Sequence, residues 1–534
     1  MTSTATTVEG VHLDAAKQRR AILGASVGSL FEWYDFFAYA FLAVYFSNFF
    51  FPPGNETAGF LSALAIFGAG FIVRPLGALI FGHIGDQIGR KRTFLITLVI
   101  MGLATTGIGL IPTFEQIGWA APILLIIARL LQGLSIGGEY AGAVVYVSEH
   151  SSNHDRGYRT SWIQMTATAG MLLAIVVIVV LQLSMDRESF AAWGWRIPFV
   201  LSLGLLLVSI YIRLHLDESP LFEKMKASRA RSSLPIADVV KDPAMLKFTL
   251  QALMICGAQA IVGYTTQVYP LFFMINTLKI TPMIANIMLG IALVFGMITM
   301  IILGKLSDHV GRKWVMLTGL LLFSIVLLPV FKGLTTFGNP ALVQFQERVH
   351  VSILSNDCHF KVFAAPNAKP NPCGRVQDLL NKAGISYLYQ PADGSGEIVV
   401  KIGDTVVSGF DPAKLTAALV DAGYPSKGDP ANVNTVAITL LLMVLTLLSS
   451  MVYAPLGAYL AEQFPTRVRY SAVAVAQNLG AGWIGGSLLF VIAALTAYAG
   501  NIYFGLWYPI IATALIFVIA ALFLKETRYR TIEE

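Results

Sequence analysis

Charged side chains are scarce in this sequence of 534 residues: Asp, Glu, Lys and Arg make up 13% of it, against about 25% in soluble domains. Hydrophobic residues make up 56%, and so few charges cannot cover a surface that faces water. The hydrophobic residues fall in blocks of about 20, the number that an α-helix needs to cross a hydrocarbon core of about 30 Å. The composition therefore excludes a soluble globular protein and predicts a polytopic membrane protein.

A large excess of charge of one sign is also missing, since 37 Lys and Arg against 31 Asp and Glu give a net charge of +6. No nucleic-acid partner is expected, because basic residues of membrane proteins gather on the cytoplasmic side regardless of partner. Three cysteines are too few for a disulfide-rich scaffold. None of the eight histidines falls at mid-membrane, which argues against a histidine proton relay.

The hydrophobic blocks predict twelve transmembrane helices. They begin near Ala21, Gly59, Thr93, Pro122, Thr160, Ile197, Met245, Pro282, Trp314, Asn432, Tyr470 and Asn501. The first 20 residues lack the cleavage site of a secretory signal, so the first helix is expected to be retained. Of the 37 Lys and Arg, the N-terminus, the even-numbered loops and the C-terminus hold 23 and the short odd-numbered loops hold 3. Both termini are therefore expected in the cytoplasm.

The ninth connection is much longer than the others and has the composition of a soluble domain. Its pattern predicts strands at Val349–Leu354, Ser386–Tyr389, Glu397–Ile402 and Thr405–Ser408, and helices at Val376–Ala383 and Pro412–Ala422. We expect a small α+β domain outside the cytoplasm, inserted between helices 9 and 10.

Two of the three cysteines, Cys358 and Cys373, lie in this inserted segment, in a compartment that permits disulfides, so we predict that they are bridged. Their spacing is not Cys-x-x-Cys. The strand order loosely resembles that of a glutaredoxin, but a structural disulfide is preferred to a redox role. Cys256, within the seventh span, is expected to be a small buried hydrophobe.

An internal repeat divides the chain. The segment Gly82–Lys91 recurs as Gly304–Lys313 at an offset of 222 residues, and Glu149 with Arg156 recurs as Glu462 with Arg469 at an offset of 313. The two offsets differ by 91, about the length of the inserted segment. The chain is therefore expected to consist of two six-helix halves and one insertion.

These motifs resemble those of the major facilitator superfamily, whose Gly-x-x-x-Asp-x-x-Gly-Arg-Lys loop occurs here twice. Within that superfamily the sequence is similar to the metabolite:proton symporter family at Phe31–Phe36, Arg74–Gly77, Arg129–Tyr140, Trp193–Phe199 and Glu462–Arg469. That family includes permeases for α-ketoglutarate, citrate, shikimate, and proline or betaine. The resemblance covers all twelve spans and implies proton-driven uptake of a small organic acid or zwitterion by two helix bundles that rock about a central cavity. It says nothing about the inserted domain.

The expected organisation is as follows: residues 1–20 cytoplasmic, 21–215 the first six-helix bundle, 216–244 a cytoplasmic loop, 245–337 and 432–525 the second bundle, 338–431 the periplasmic insert and 526–534 a cytoplasmic tail. We expect a monomer in the lipid bilayer of a bacterial inner membrane. Its partners are expected to be a small organic anion and a proton. No enzymatic activity, metal or cofactor is implied.

Charges inside a bilayer are costly unless they are paired or hydrated, so they predict functional residues. Asp35 lies roughly 21 Å from the cytoplasmic face and Arg129 roughly 10 Å from the outer face, so the two are at nearly one level of a core of about 30 Å. In related proton symporters, residues at these two positions form a proton-coupling pair. A static structural ion pair is the alternative.

Three further ionisable residues lie at similar depth. Glu32 is one helical turn before Asp35 and is a second candidate proton carrier, or else a tether for nearby hydroxyl and indole groups. Arg74 and Glu139 have matching depths. They are either a permanent salt bridge or an anion clamp and a proton site that compete.

The second half has almost no buried charge but carries polar side chains. Those expected to orient a substrate are Gln259, Tyr264 and Gln267 in span seven, with Gln164 and Tyr453 as weaker candidates. For each of them individually, helix packing is an alternative. Because Arg74 and Arg129 supply fixed cations opposite a neutral wall, the expected substrate is a mono-, di- or tricarboxylate. A zwitterionic osmolyte is the alternative within the class, and a membrane receptor or redox protein acting through the insert is the alternative outside it.

The repeated loops are expected to control gating. Asp86 and Asp308 precede glycine turns beside basic residues, and Arg90 with Glu149, and Arg312 with Glu462, are expected to form cytoplasmic ion-pair latches that break on switching. The alternative for the basic residues is a role in topology alone.

Overall fold

The computed structural model of the chain describes residues 15–51, 56–88, 90–137, 140–149, 151–152, 154–214, 242–355, 372–391, 398–425, 432–528 and 530. Within these ranges the protein is built from long apolar helices, and a small four-stranded sheet lies in the long connection of the second half.

The first half contains ten described helices. They are α1 (Ala15–Phe50), α2 (Glu56–Ile72), α3 (Arg74–Ile88), α4 (Arg90–Leu110), α5 (Phe114–Ile117), α6 (Ala120–Ile136), α7 (Tyr140–Glu149), α8 (Arg156–Ser184), α9 (Arg187–Ala192) and α10 (Ile197–Leu214). Helices α2 and α3 belong to one predicted span. The break at Val73 precedes Arg74 and Pro75, and it reflects the missing N–H of proline and its steric effect on the preceding residue. Arg74 therefore lies at a helix start inside the span.

The second half begins with α11 (Pro243–Gln267), α12 (Tyr269–Phe272), α13 (Pro282–Val310), α14 (Arg312–Gly338) and α15 (Pro340–Arg348). A π-helical turn, Phe273–Thr277, follows α12. The carboxylate of Asp242 accepts a hydrogen bond from the N–H of Ala244 and so caps α11, with Pro243 in the first turn.

The long connection then forms β1 (Val351–Leu354), α16 (Pro372–Ala383), β2 (Tyr387–Gln390), β3 (Val399–Ile402), β4 (Thr405–Ser408) and α17 (Pro412–Asp421). The strand order is β2-β1-β3-β4, with β1 parallel to β2 and antiparallel to β3. The parallel pair needs a crossover, and α16 supplies it. Ile353, Val400, Leu380 and Leu415 are fully buried and form the centre of a separate hydrophobic core.

The predicted elements of this segment overlap the observed ones, but their boundaries differ. Helix α16 begins at Pro372, four residues before the predicted start at Val376, because the fixed φ of proline suits the first helical turn. Strand β3 begins at Val399 rather than Glu397, which lies outside the described residues.

Four helices complete the second half: α18 (Thr435–Gln463), α19 (Thr466–Leu479), α20 (Leu488–Ala499) and α21 (Trp507–Phe523). Helices α19 and α20 are joined through a π-helical turn at Gly480–Gly485. Such turns insert one residue into the helical ladder and are frequent at functional sites.

Ten helical segments of the described chain are long and apolar enough to cross a membrane, and a shorter apolar helix runs from Leu95 to Leu110. Large apolar side chains such as Leu103, Ile325 and Leu522 are more than half exposed on the outer faces of these helices. Those faces suit lipid rather than water. The protein is therefore a multi-pass membrane protein, and the count of twelve spans stays a prediction.

Glycines let α2 and α3 pack directly on α6. A Cβ atom added at Gly133 would lie 1.7 Å from the carbonyl oxygen of Gly70, so the two backbones are in contact there. Gly70 in turn lies against the carbonyl of Arg129. Close approach through small residues is typical of helix packing in membranes. This packing places Arg74 of α3 and Arg129 of α6 in one region of the first half.

Candidate functional site

Three charged side chains predicted to act inside the membrane are buried in the first half. Asp35 in α1 is 6% exposed, Arg74 at the start of α3 is 4% exposed and Arg129 in α6 is fully buried. Burial of a charge is strongly unfavourable unless other groups compensate for the lost water. The contacts of each side chain therefore show how the site is built.

Arg129 is held between aromatic rings. Its Cζ atom lies 3.7 Å from the ring centroid of Tyr39 and 5.0 Å from those of Phe36 and Phe67. Its Nη1 atom donates a hydrogen bond of 2.6 Å to Oε1 of Gln132. Its Nε and Nη2 atoms are buried and make no hydrogen bond within the described chain. The rings contribute cation–π attraction, but two donors are left over.

Arg74 has a similar environment. Its Cζ atom lies 4.0 Å from the ring centroid of Phe71 and 4.7 Å from that of Phe36. In the part of the chain that the structure describes, its Nε and Nη2 atoms also lack hydrogen-bond partners. The ring of Phe36 is therefore shared by two guanidinium groups, and the tyrosines Tyr264 and Tyr453 of the second half lie close enough to interact electrostatically with Arg74.

Asp35 interacts with hydroxyl groups. Ser202 of α10 donates a hydrogen bond of 2.5 Å from Oγ to Oδ1 of Asp35. Thr105 of α4 lies close enough to interact with the carboxyl group, and its own hydroxyl donates to the carbonyl of Met101 at 2.9 Å. The Oγ1 atom of Thr105 accepts a hydrogen bond of 2.6 Å from Nε2 of Gln132. A chain of polar contacts thus runs from Asp35 through Thr105 and Gln132 to Arg129.

The expected direct contact between Asp35 and Arg129 is absent: of the ion pairs formed by described residues, none joins these two. Depth along the membrane normal does not fix the direction in which a side chain points around the bundle, and a proton-coupling role for the two residues stays a prediction. Asp35 instead accepts a hydrogen bond from Ser202, and Arg129 donates one to Gln132.

Glu32, the other acidic residue predicted in span one, is 8% exposed and lies one turn before Asp35 on α1. Its partner in the predicted proton-coupling set, Glu139, lies outside the described residues, so the expected matching of Arg74 with Glu139 stays a prediction.

Aromatic packing brings the second half to this site. The ring of Tyr264 in α11 lies 5.4 Å from that of Phe71 and 6.1 Å from that of Phe37. Tyr264 is 6% exposed, so the two halves are in contact near the buried arginines. Tyr264 and Tyr453 are the predicted substrate-side residues that the structure places beside Arg74.

The glutamines expected to orient a substrate are engaged in helix packing. Gln267 donates a hydrogen bond of 2.8 Å to Oγ of Ser449, and Gln259 accepts one of 3.4 Å from Nε2 of Gln477. Gln164 is 1% exposed and lies against Gly457. The contacts of Gln267 and Gln259 are those expected of helix packing, and a substrate role for the three glutamines stays a prediction.

A second cluster of buried charge joins the two halves at the ends of α8, α13 and α18. Arg312 contacts Asp308 at 2.6 Å and Glu462 at 3.2 Å, and Arg156 contacts Glu462 at 2.9 Å. The side chains of Arg312 and Glu462 are fully buried, and that of Arg156 is 2% exposed. The predicted contact between Arg312 and Glu462 is present. It lies within the second half, however, whereas Arg156 supplies the contact between halves.

Asp308 adds a further contact between halves. Its Oδ1 and Oδ2 atoms accept hydrogen bonds of 2.9 Å from the backbone N–H groups of Gly157 and Tyr158. These groups belong to the first turn of α8, where unpaired N–H groups and the helix dipole favour an anion. The side chains of Asp86, Arg90 and Glu149 lie outside the described residues, so the equivalent latch of the other repeat stays a prediction.

Known proteins resemble the chain along most of its length. Residues 21–245 match the family described as "Sugar (and other) transporter". The α-ketoglutarate permease of Escherichia coli (strain K12) is 36% identical over 330 residues, which are 61% of this chain and 74% of the permease. The shikimate transporter of the same organism is 32% identical over 416 residues, 76% of this chain and 89% of that transporter. The chain belongs to the metabolite:proton symporters of the major facilitator superfamily.

The transporter also resembles the proline/betaine transporter of Escherichia coli (strain K12), at 35% identity over 326 residues, which are 60% of this chain and 65% of that protein. Among solved structures, the major facilitator superfamily proton:xylose symporter XylE bound to 6-bromo-6-deoxy-D-glucose matches 98% of this chain and 99% of its own, with a TM-score of 0.64 and 17% identity. That likeness establishes the fold. The protein is a transporter and not an enzyme.

Sequence reasoning missed several residues of the site. Ser202, Thr105 and Gln132 are polar residues inside apolar spans, a signal that was available but was not distinguished from helix packing. Arg156 was noted in the repeated Glu-x6-Arg pattern, but not as the residue that links this transporter's two halves.

Cys256 is a free, fully buried cysteine, which confirms the expectation for span seven. Cys373 in α16 is 1% exposed. Its predicted partner Cys358 lies outside the described residues, so their pairing stays a prediction. Within the described residues, no cluster of three or more His, Cys, Asp or Glu side chains is placed to hold a metal ion.

Proposed function

We propose that the protein is a proton-coupled importer of a small organic anion, such as a mono-, di- or tricarboxylate. The observation that carries this proposal is the pair of buried arginines, Arg74 and Arg129, each with an Nε and an Nη2 donor that no described residue satisfies. A carboxylate accepts two parallel N–H bonds from one guanidinium group, and such charge-assisted bonds are about twice as strong as neutral ones. An organic anion would thus supply both the charge and the acceptors that the site lacks.

The aromatic rings help to explain how two like charges are accommodated close together. The ring centroid of Phe36 is 4.7 Å from Arg74 Cζ and 5.0 Å from Arg129 Cζ, so the ring lies within cation–π distance of both guanidinium groups. Cation–π attraction contributes about 2 kcal/mol when the cation is desolvated, which is less than the several kcal/mol that burial of one ion costs. The rings therefore offset only part of the cost of burying the two arginines. An anion bound beside both guanidinium groups would offset more of that cost.

The polar chain from Asp35 to Arg129 supports proton coupling. A proton on Asp35 and an anion at Arg129 have opposite charges, so each favours binding of the other through the intervening Thr105 and Gln132. Symport needs this mutual preference, because the loaded carrier must carry both species or neither. Ser202 is placed to hold Asp35 in either protonation state, since a hydroxyl group both donates and accepts.

Alternating access follows from the second charge cluster. Arg156 and Asp308 hold α8 against α13 and α18 at one end of the bundle. We assign this end to the cytoplasm, with both termini, and assign the insert to the periplasm of a bacterial inner membrane. Substrate release to the cytoplasm then requires these contacts to break. Twelve spans in a monomer complete the proposed arrangement.

A zwitterionic osmolyte is the second candidate substrate. The proline/betaine transporter is 35% identical to the chain, nearly the same as the 36% of the α-ketoglutarate permease. Aromatic rings around Arg74, including Trp33 at 5.9 Å from Cζ, are also the groups that recognise a quaternary ammonium. The carboxylate of an osmolyte would use the same arginines.

The test is uptake by proteoliposomes that contain the wild type or Asp35→Asn, with and without an inward proton gradient. The panel is α-ketoglutarate, citrate, shikimate, proline and betaine. We expect the gradient to stimulate uptake of a carboxylate by the wild type, and Asp35→Asn to abolish that stimulation while substrate exchange survives. Gradient-driven uptake of proline or betaine alone would favour the second candidate. Uptake that is equal with and without the gradient would refute proton coupling.

A further inference from the structure

A cavity of about 230 Å³ lies where the inserted segment meets the transport helices. Three parts of the protein form its wall: Phe60 of α2 in the first half, Phe272 of α12 in the second half, and Asn381 and Lys382 of α16 in the insert. Such a volume corresponds to several water molecules at about 30 Å³ each, or to a small organic molecule. The cavity is separate from the buried arginines described above.

The insert is fixed to the second half beside this cavity. The backbone N–H of Tyr387 donates a hydrogen bond of 2.7 Å to the carbonyl of Gly500, and its hydroxyl donates one of 3.3 Å to the carbonyl of Ala497. Burial raises the pKa of the Tyr387 hydroxyl group, which therefore stays a neutral donor. At Gly384, φ is +67° and an added Cβ would lie 2.6 Å from the carbonyl oxygen of Thr277, so only glycine permits this contact.

The polar groups of the cavity wall favour an anion. Two of the lining residues are cations, Lys279 and Lys382, and none of the lining residues that the structure describes is acidic. Asn381, which lines the cavity too, has a buried Nδ2 donor that lies beside the hydroxyl group of Tyr387. Lys382 also contacts Asp378 at 3.2 Å, with its side chain 39% exposed.

The backbone holds Lys279 in place. It has φ of +62° and is the one non-glycine residue with positive φ in the described chain. This conformation costs of order 1 kcal/mol or more for a residue with a Cβ atom. It is also one of only three basic residues in the short odd-numbered loops of the sequence. Lys279 therefore lies in the cavity wall although its backbone conformation is unfavourable for a residue with a Cβ atom and although basic residues are rare in those loops.

We propose that this cavity is an external binding site for a small carboxylate, at which an external anion holds the transporter in the conformation with its external ends together. The choice of carboxylate rests on the proposed function. The ring of Phe60 packs edge to face with that of Phe272, at 5.3 Å between centroids, so the cavity wall joins the two halves in this conformation. A ligand that contacts both halves and the insert binds this conformation better than one in which the halves have separated.

The consequence is inhibition by excess substrate from one side. At low external concentration the carboxylate reaches the central site and is transported. At higher concentration it also fills the external cavity and slows the reopening that the next cycle needs. The removal of both cavity lysines should weaken that inhibition by up to about thirtyfold, because partly exposed cations each contribute up to about 1 kcal/mol to anion binding and every 1.4 kcal/mol is tenfold.

The first test measures initial uptake of radiolabelled α-ketoglutarate by proteoliposomes over a wide range of external concentration. The chains compared are the wild type, Lys279→Gln with Lys382→Gln, and Lys414→Gln as the matched control. Lys414 is a lysine of the same insert, but its side chain is 76% exposed and it pairs with Asp411 away from the cavity. We expect inhibition at high concentration in the wild type and in the control, and its loss in the double variant with an unchanged KM at low concentration. Lys382→Arg alone, with Lys279 unchanged, keeps the positive charge and should keep the inhibition at high concentration.

Equilibrium binding separates this proposal from the proposed function. Equilibrium dialysis of labelled α-ketoglutarate with the full chain, at a concentration that just fills both sites of the wild type, should give about two bound equivalents for the wild type and close to one for the double variant, whose external site is weakened by up to about thirtyfold. A stoichiometry that the double variant leaves unchanged would overturn the external site, whatever the transport result. A drop by one equivalent in a protein that transports no carboxylate would support the external site and refute the proposed function.

Discussion

Arg156 and Glu462 form an ion pair across the two halves of the chain, with 2.9 Å between Nη1 and Oε1 and both side chains almost fully buried. The two residues are 306 positions apart in the sequence. Glu462 also accepts from Arg312 at 3.2 Å and from the hydroxyl of Thr527 at 2.7 Å. One carboxylate thus compensates two buried arginines, and its loss affects both halves together.

Glu462→Gln is expected to open the end of the bundle at which α8 meets α13. Loss of one partner of a buried pair costs about 3 kcal/mol or more, about a hundredfold in a conformational equilibrium. The measurement is maleimide labelling of Ser161→Cys, a buried position that packs against Gly304, in a chain with Cys256→Ala. Labelling from the cytoplasmic side should rise strongly.

Arg159→Gln is the control for that experiment. Arg159 pairs with Asp155 within the same turn, at 2.7 Å, and its side chain is 29% exposed. Exposed pairs contribute at most about 1 kcal/mol, so labelling should stay at the wild-type level. Equal labelling of the Glu462→Gln and Arg159→Gln chains would contradict a latch at Glu462.

Neighbouring threonines of α4 test the polar chain between Asp35 and Arg129. Both hydroxyls donate to a backbone carbonyl, Thr105 to Met101 at 2.9 Å and Thr106 to Gly102 at 2.8 Å, but Thr105 also accepts from Gln132 at 2.6 Å. Thr105→Val therefore removes that acceptor, and Thr106→Val is the matched control. A buried donor left without its acceptor costs about 1–3 kcal/mol. We expect gradient-driven uptake to fall about tenfold in Thr105→Val and to change little in Thr106→Val. Similar uptake by the two variants would show that the polar contacts from Asp35 to Arg129 do not couple the proton to the substrate.

Arg129→Lys keeps the positive charge and removes the planar guanidinium group with its parallel N–H donors. Since lysine cannot form two parallel bonds to one carboxylate, the KM for carboxylate exchange should rise about tenfold or more. Arg196→Lys is the matched control, because Nη1 of Arg196 donates to the carbonyls of Gly109 and Ile111, at 2.8 and 2.7 Å, near the end of α4. That variant should lower the melting temperature and leave KM unchanged. An unchanged KM in Arg129→Lys would remove this residue from the substrate site.

Gly133→Ala tests the packing that places both arginines. An added methyl group would lie 1.7 Å from the carbonyl oxygen of Gly70, which is backbone and cannot move aside alone. We expect α2 and α6 to separate, with a large fall in melting temperature or in the yield of folded protein. Gly107→Ala, which meets nothing within 4 Å, should be neutral or stabilise α4 by up to about 1 kcal/mol. Equal melting temperatures for the two variants would contradict this close helix contact.

The predicted disulfide between Cys358 and Cys373 is testable by mass spectrometry of a non-reduced digest. A bridge that closes a loop of this length contributes about 3 kcal/mol to stability, so Cys373→Ser should lower the unfolding temperature of the insert. Cys256→Ser should leave the linkage intact, because Cys256 is a free buried cysteine. Recovery of unlinked Cys358 and Cys373 peptides from protein purified without reductant would refute the bridge.

The short elements of the insert were predictable because each has a local signal. Alternation of apolar residues marks β1 and β3, and Asp411 with Pro412 marks the start of α17, where the Asp411 carboxylate accepts from Ala413 N–H at 3.0 Å. The start of α16 was less well predicted, since its first turn, at Pro372, has no apolar periodicity. The association of α16 with α2 and with the turn at Thr277 has no local signal at all.

The sequence by itself determined that this chain resides in a membrane, that it repeats in two halves, and that its family is one of transporters. Those properties follow from apolar run lengths, from repeated motifs and from residue identities, which are readable in order along the chain. It also located the buried charges at Asp35, Arg74 and Arg129, because a charge inside an apolar run stands out.

Only the tertiary structure decided which groups those charges meet. Hydropathy gives the depth of a residue along the membrane normal, but not its direction around the bundle axis. Asp35 therefore contacts Ser202 rather than Arg129, and Glu462 contacts Arg156 of the other half as well as Arg312 of its own half. Each of these partners comes from a helix distant in the sequence, and its position is set by how the helices pack.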